Sequence, residues 1–316
     1  MRMRNSGTRK AARAKPVPAY RKKDWIAAYL FIAPMTLGIL VFVLLPIFFS
    51  VILSFAKWDG LNLGNLQWVG LQNFRELLTT DVKAGIEFRN TLFYTFISVP
   101  LTIALSCVVS VALVREVKYA SVFRCIYYLP NVTMPVAVAL VWAWMFNSQY
   151  GLIKQLLSYA GIVMPNVLGN PSNLMYMVIL VTVWKGIGAN MIILIAGLQG
   201  IPQEYYESAE IDGADAMARF FKITLPLITP SVFFLTVTGL MSGFKSFDLV
   251  YTFAGSGAIS TTLVDGVRTM VFGIYKSAFQ DMRMGFASAK AIALFAMIMV
   301  VTLIQFGAQK RWVHYD

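Results

Sequence analysis

Six long apolar stretches alternate with polar segments along the chain: Ile26–Phe55, Asn90–Val114, Cys125–Phe146, Leu174–Gly200, Leu227–Phe247 and Phe286–Phe306. A helix crossing a bilayer needs about 20 apolar residues, and each stretch reaches that length. A backbone in lipid must satisfy its own hydrogen bonds, so each stretch predicts a membrane-spanning helix. The pattern therefore predicts an all-α integral membrane protein with six transmembrane helices. The first spans residues 25–56 and follows a basic arm, residues 1–24. It is too long for a signal-peptide core and no A-x-A cleavage site follows it, so it is expected to remain. Pro34, Pro46 and Pro100 fall inside spans, where a bundle tolerates kinks.

The intervening polar segments predict the loops. Lys57–Arg89, Asn147–Asn173 and Asp248–Gly285 are expected outside the cell membrane, the first with aromatic anchors Trp58, Trp68 and Phe74 and a short helix around Leu71–Leu78. Lysines and arginines concentrate on cytoplasmic segments. This topology puts sixteen of them inside and eight outside, with Lys185, Lys245 and Lys290 in spans. Both termini are then cytoplasmic, with residues 307–316 as a tail, in a multi-pass protein of a bacterial inner membrane. Much of the margin comes from nine bases in the first 23 residues.

Composition agrees with that reading. The chain is 58% apolar and 13% charged, with a mean hydropathy of +0.66, against about 25% charged in a soluble domain. The net charge of +12 admits nucleic acid or a membrane surface as partner. The basic arm directly precedes an apolar run and no DNA-binding motif is present, which favours the lipid bilayer and no nucleic acid. Cys107 and Cys125 lie in apolar runs and read as small buried hydrophobes. His314 is the sole histidine, so no His-based triad or Cys/His metal cluster can be assembled. No G-x-x-x-x-G-K-[ST] occurs, so the chain has no Walker A loop.

The stretch Ile201–Pro230 is polar between two spans. Five acids (Glu204, Glu207, Glu210, Asp212, Asp215) precede Arg219 and Lys222. Acids at the start and bases at the end of a helix suit its dipole. Two short helices are expected, the first with Pro202 and Glu204 at its start and Gly213 as a left-handed stop, the second starting near Ala214 with Asp215 in its first turn and ending with Arg219 and Lys222. Glu207-Ser208-Ala209, then Gly213 three residues on, then Ile223-x-Leu225-Pro226 after nine more, resembles the EAA loop of ABC importer membrane subunits. Ser208 replaces the first alanine. Asp212-Gly213-Ala214 is similar to the D-G-A of the sugar-uptake branch. WVGLQNFREL in the first outer loop and LPN-x-x-x-P-V-A in the third span also resemble sugar permeases.

The resemblance implies a type I ABC importer fold, with residues 87–306 as its five-helix core and residues 202–225 as a coupling loop seated on an ATPase. It implies a permease subunit moving a sugar or oligosaccharide by alternating access. The implied partners are a second permease in a heterodimer, two cytoplasmic ABC ATPase subunits and an extracytoplasmic sugar-binding protein. ATP and Mg would sit on the ATPases, with no cofactor on this chain. The implied coupling residues are Glu207, Ser208, Ala209, Asp212, Gly213, Ala214, Ile223, Leu225 and Pro226.

Lys185 lies near the middle of the fourth span. A charge there is costly unless it faces protein or water. Together with Trp184, which offers a face for a sugar ring, and Asn190, it is a candidate for the translocation path. It is equally a lysine paired to another span or to backbone carbonyls. Gly186 and Gly188 are expected to loosen the helix there. Lys245 and Asp248, three apart, are expected on one helix face near the outer end. Lys290 is expected to snorkel outward, and Trp142 and Trp144 to join an interfacial belt. Import of a glycerol phosphate ester is a second reading within transport. A membrane enzyme would need paired acids or a metal set at membrane depth, and the spans hold neither.

Overall fold

The computed structural model describes residues 22–114, 119–164, 166–255 and 261–312. The basic arm to residue 21, Arg115 and Lys118, the Gly/Ser-rich start of the third outer loop at 256–260, and His314 lie outside the described residues.

Helix α1 (Lys22–Ile39) passes through a π turn at Leu40–Leu44 into α2 (Leu45–Leu53). Pro46 accounts for the turn. It offers no N–H to the carbonyl four residues back and crowds it, and widening the ladder by one residue relieves both. The segment through Phe49 forms one compact unit, and the chain from Ser50 onward forms another.

The second unit begins with a short antiparallel ribbon, β1 (Ala56–Lys57) on β2 (Gln67–Trp68), pairing Ala56 with Trp68. Helix α3 (Gln72–Thr79) follows. Its buried Asn73 donates to the carbonyls of Ser54 and Ala56 at 2.9 Å each, locking the ribbon to the helix. The second span, α4 (Val82–Val114), starts at Val82, earlier than the expected Asn90.

The third span is broken, where the sequence pattern predicted one helix. α5 (Ala120–Val132) and α6 (Pro135–Met145) meet at 98°. Pro130 removes a hydrogen bond from the last turn of α5, and Pro135 drives Met134 out of the helical region. Thr133 and Met134 are extended, with ψ of 147° and 128°. After α7 (Leu152–Tyr159) comes the fourth span, α8 (Pro171–Gln199), unbroken through Gly186 and Gly188. The coupling stretch holds α9 (Gln203–Ile211), α10 (Ala216–Arg219), a π turn at Phe220–Thr224 ahead of Pro226, and α11 (Leu225–Leu227). The fifth span is α12 (Thr229–Phe244) interrupted before α13 (Asp248–Gly255). The interruption separates Lys245 from Asp248, so they do not share a helix face as expected. Then come α14 (Thr261–Val267), α15 (Met270–Tyr275), a π turn at Lys276–Gln280, and the sixth span, α16 (Met284–Trp312). Among the described residues five stretches, the fifth span counted whole as Thr229–Ala254, are long and apolar enough to cross a membrane, or six with the bent pair counted as one span.

Small residues let the spans approach, as they do where no water drives helices together. A side chain at Gly186 would meet Thr102, one at Gly239 would meet Val99 and one at Gly243 would meet Thr95. The glycines of α8 therefore serve close packing; they do not loosen the helix. Ser106 and Ser110 of α4 donate to the carbonyls of Ile187 and Met191 at 3.1 and 3.2 Å. Around these contacts Val99, Ile103, Leu194, Leu235 and Phe244 form a buried cluster. Cys107 is buried with them, whereas Cys125 is exposed, contrary to expectation.

A buried ion network ties the start of α4 to α16 and to the segment before α15. Glu87 of α4, 1% exposed, accepts from Arg268 Nε at 2.7 Å and from Lys290 Nζ at 2.9 Å. Lys290 also pairs with Asp81 at 3.0 Å, and Arg268 with Asp265 at 3.1 Å. Lys290 is only 2% exposed, so it does not snorkel as expected. Its charge is spent on two carboxylates, one of them at the head of the second span. Gly273 is needed beside them, because a Cβ there would strike the Glu87 carboxylate.

Glu87→Gln strands Arg268 and Lys290 without their shared partner, and breaking a buried pair typically costs about 3–5 kcal/mol. The thermal midpoint of the purified assembly should drop sharply; an unchanged midpoint contradicts the network's role. Burial pushes the Asp81 carboxyl up, but the hydrogen bond and charge of Lys290 outweigh it and hold it below its ordinary value. A depressed folded-state carboxyl contributes stability above its unfolded pKa of about 3.9 and loses it as pH falls through the folded value. The midpoint should thus fall below about pH 4, and Asp81→Asn should flatten that fall.

Candidate functional site

Three spans carry polar or small residues four apart: Tyr94, Ser98 and Thr102 on α4; Thr182, Gly186 and Asn190 on α8; Thr238, Ser242 and Ser246 on and just after α12. A spacing of four stacks residues on one helix face. All three stripes line one cavity of about 540 Å³. Tyr94 fastens them. Its hydroxyl is 3.0 Å from Thr182 Oγ1 and accepts from Ser246 Oγ at 3.0 Å. The cavity wall is rich in hydroxyls that both donate and accept.

Both helix breaks open onto this cavity. Pro135, the first residue of α6, lines it, and so do Lys245 to Asp248 between α12 and α13. A helix end leaves up to four backbone groups without intrahelical partners, and irregular backbone at membrane depth is tolerated only where protein or a wet cavity surrounds it. Lys185 meets one such group. Its Nζ donates to the carbonyl of Asn131, in the last turn of α5, at 2.8 Å. A cation is favoured at a helix C-terminus. Lys185 thus binds a backbone carbonyl and also lines the cavity. Gly188, one turn away, lets α8 lie against α5, since a Cβ there would strike the carbonyl of Tyr127.

Asn190 lines the cavity as well, but Trp184 does not. Trp184 faces Trp142 edge-on at 5.4 Å between centroids, in an apolar groove at the bend of the third span. Trp142 also stacks on Phe146 at 5.7 Å, while Trp144 is half exposed. The stripes of serine and threonine were overlooked in the sequence because each residue alone is unremarkable in an apolar helix. Their spacing of four was the available signal.

On the opposite side of the fold the coupling stretch is built by capping. Gly213 takes φ +76°. Its N–H donates to the Glu210 carbonyl at 3.0 Å, and that of Ala214 to the Ala209 carbonyl at 2.9 Å. These two bonds make a Schellman motif, which closes α9. Asp215 does not sit within the first turn of α10 as expected; it is the N-cap, accepting from the Ala218 N–H at 2.7 Å. The second helix also fails to end near Lys222 and runs through its π turn toward the fifth span. Tyr206 Oη is 3.0 Å from the buried Thr224 Oγ1, which pins α9 to that π turn. The result has two faces. Glu207, Ser208, Asp212 and Gly213 are exposed, whereas Ala209, Ala214, Ile223, Leu225 and Pro226 are half-buried. Ile211, 87% exposed, and Met217, 63% exposed, add apolar surface to the open face.

Residues 104–314 match the family described as binding-protein-dependent transport system inner membrane component. The chain belongs to that family. Three relatives match it nearly end to end. The probable ABC transporter permease YesP of Bacillus subtilis is 36% identical over 93% of this chain and 94% of its own. The multiple sugar-binding transport system permease MsmF of Streptococcus mutans is 31% identical over 92% and 97%. The sn-glycerol-3-phosphate transport system permease UgpA of Agrobacterium fabrum is 28% identical over 92% and 97%. The bacterial alginate ABC transporter, crystallised with its pentasaccharide-bound periplasmic protein, has a chain of the same fold. The TM-score is 0.79 at 23% identity, covering 92% of this chain and 96% of that one. This family member is a multi-pass inner-membrane transport subunit and not an enzyme.

Gly188→Ala forces a methyl into the Tyr127 backbone. Overpacking typically costs about 1–3 kcal/mol, so the yield and thermal midpoint of the assembled transporter should fall. Gly85→Ala, where an added Cβ meets nothing and the backbone is ordinary helix, should not lower them. Equal values for the two variants would show that α5 and α8 do not depend on this approach.

Proposed function

We propose that this chain is the permease subunit of an ATP-driven importer that moves a sugar or oligosaccharide through the hydroxyl-lined cavity. The observation that carries the reading is that the break in the third span and the short interruption of the fifth meet at one cavity, about 540 Å³ in volume, whose wall carries seven hydroxyl side chains. Transporter sites are commonly formed by discontinuous helices near the bilayer midplane, and stripes of hydroxyls answer a ligand that is itself hydroxyl-rich. The sugar-transport name of one relative and the saccharide-bound complex of the structural neighbour support the class. The name of the glycerol phosphate relative supports the rival solute. No arginine lines the cavity, which argues against a phosphate dianion.

The coupling residues Glu207, Ser208, Ala209, Asp212, Gly213, Ala214, Ile223, Leu225 and Pro226 divide the work by face. The exposed group meets the groove of an ATPase subunit; the half-buried group joins the loop to the fifth span. ATP and Mg act on two ATPase partners, and an extracytoplasmic binding protein delivers the solute. A second permease completes the path as a heterodimer. Leu129, Val132 and Met134 at the bend are 65%, 66% and 72% exposed, an apolar surface for that subunit or for lipid. Both termini and the coupling loop face the cytoplasm.

Three measurements test this. Proteoliposomes holding this chain with its partner permease, ATPases and binding protein should take up saccharide only with internal or ATPase-side ATP; nucleotide-independent uptake by this chain alone overturns the reading. Glu207→Lys and Gly213→Val should each cut transport severalfold or more while the protein still inserts, because one inverts the exposed charge and the other strains a left-handed turn. Full transport by both removes the coupling assignment. A cysteine at Gln203 should react with an impermeant thiol reagent from the cytoplasmic side and one at Leu61 from the outside; the reverse overturns the topology.

A further inference from the structure

We infer that the cavity selects a saccharide bearing a carboxylate, an acidic oligosaccharide built from uronic acid units, and that Lys185 is the selecting residue. The inference rests on the cavity being the sugar path. Three charged side chains line it: Lys185, Lys245 and Asp248. The sum is one positive charge. Lys245 follows the C-terminus of α12 and Asp248 begins α13. Each therefore sits at a helix end of opposite sign, and the two cancel in the total.

Lys185 remains. Among the described residues every ion pair joins other groups, and no carboxylate stands within 4.0 Å of its ammonium. Its one recorded bond goes to the Asn131 carbonyl. An ammonium has three donors, so two are left for a ligand. A helix C-terminus carries about half a unit of negative charge, so the carbonyl offsets only part of a full cation. The first turn of α6, opened by Pro135 without a side-chain cap, adds the positive end of a second dipole to the same wall.

A mid-membrane cation that this chain leaves half-neutralised is completed by an anion from the solute. Lysine acts as a point charge that holds a single carboxylate or a phosphate, and the cavity lacks the guanidinium forks that grip a phosphate at two points. The hydroxyl stripes then hold the ring hydroxyls of the same ligand.

The test uses the full importer in proteoliposomes with its binding protein. Three probes are compared: digalacturonate, the same disaccharide with its carboxyls reduced to alcohols, and glycerol 3-phosphate. The wild type should import the acid at least tenfold faster than the reduced sugar. Lys185→Gln should lower that ratio about tenfold, and Lys185→Arg, which keeps the charge, should largely preserve it. Equal or faster uptake of the reduced sugar by the wild type overturns the inference while leaving the sugar path intact, and needs no variant. A ratio that Lys185→Gln leaves unchanged overturns the role of Lys185. Preference for glycerol 3-phosphate over both disaccharides overturns the saccharide class. Absence of ATP-driven uptake of any disaccharide counts against the sugar path itself.

Discussion

A helix that stops inside a membrane leaves backbone carbonyls and N–H groups with no water to satisfy them, and this fold contains one sharp stop, in the third span, and one short interruption, in the fifth. Each unsatisfied group costs several kcal/mol in hydrocarbon. The break between α5 and α6, and that between α12 and α13, are tenable because both face one polar cavity, and because Lys185 supplies a donor to the Asn131 carbonyl. The cation and the break thus explain one another. A lysine at that depth is costly in isolation, and so is a helix C-terminus; together each lowers the cost of the other.

The remainder of the bundle keeps that region in place. Tyr94 joins α4, α8 and the end of α12 around the cavity. Glycines on α8 and α12 let the backbones approach to side-chain distance. At the outer ends Glu87 anchors α4 against α16 and the loop before α15 through two cations that are themselves buried. That network gains its value from completeness, since a buried charge without its partner costs more than the pair contributes. At the inner side the coupling loop is rigid by backbone means: a Schellman closure, an Asp215 cap and a hydroxyl contact from Tyr206 to Thr224. Its pair between Glu210 and Arg219 is open to solvent and contributes little.

The spans and the two short helices after the fourth span were legible because their signals are local. Twenty apolar residues, a glycine at a left-handed stop and acids at a helix start are each read within a few positions of themselves. The break in the third span was less so: Pro130 and Pro135 announce a disturbance, but not the 98° angle that the extended Thr133 and Met134 give it. Lys290 was misread as well. Its distance from the end of the apolar run suggested a path to solvent, but its partners lie some 200 residues away, at Glu87 and Asp81. Trp184 was assigned to the path for its ring, and it packs on Trp142 outside the cavity. Charge partners between distant segments leave no periodic trace; the hydroxyl stripes did, at a spacing of four.

The central claim is that the cavity at the two breaks is the place where the solute crosses. Alternating access supplies its most direct measurement. With Cys107 and Cys125 replaced by alanine, a cysteine at Ser242 in the assembled importer is exposed to an impermeant thiol reagent on one face of sealed proteoliposomes at a time. The account predicts labelling from one face without nucleotide, labelling from the other with ATP and loaded binding protein, and protection by the transported saccharide. Labelling from the same face in both conditions, or from neither, would contradict it.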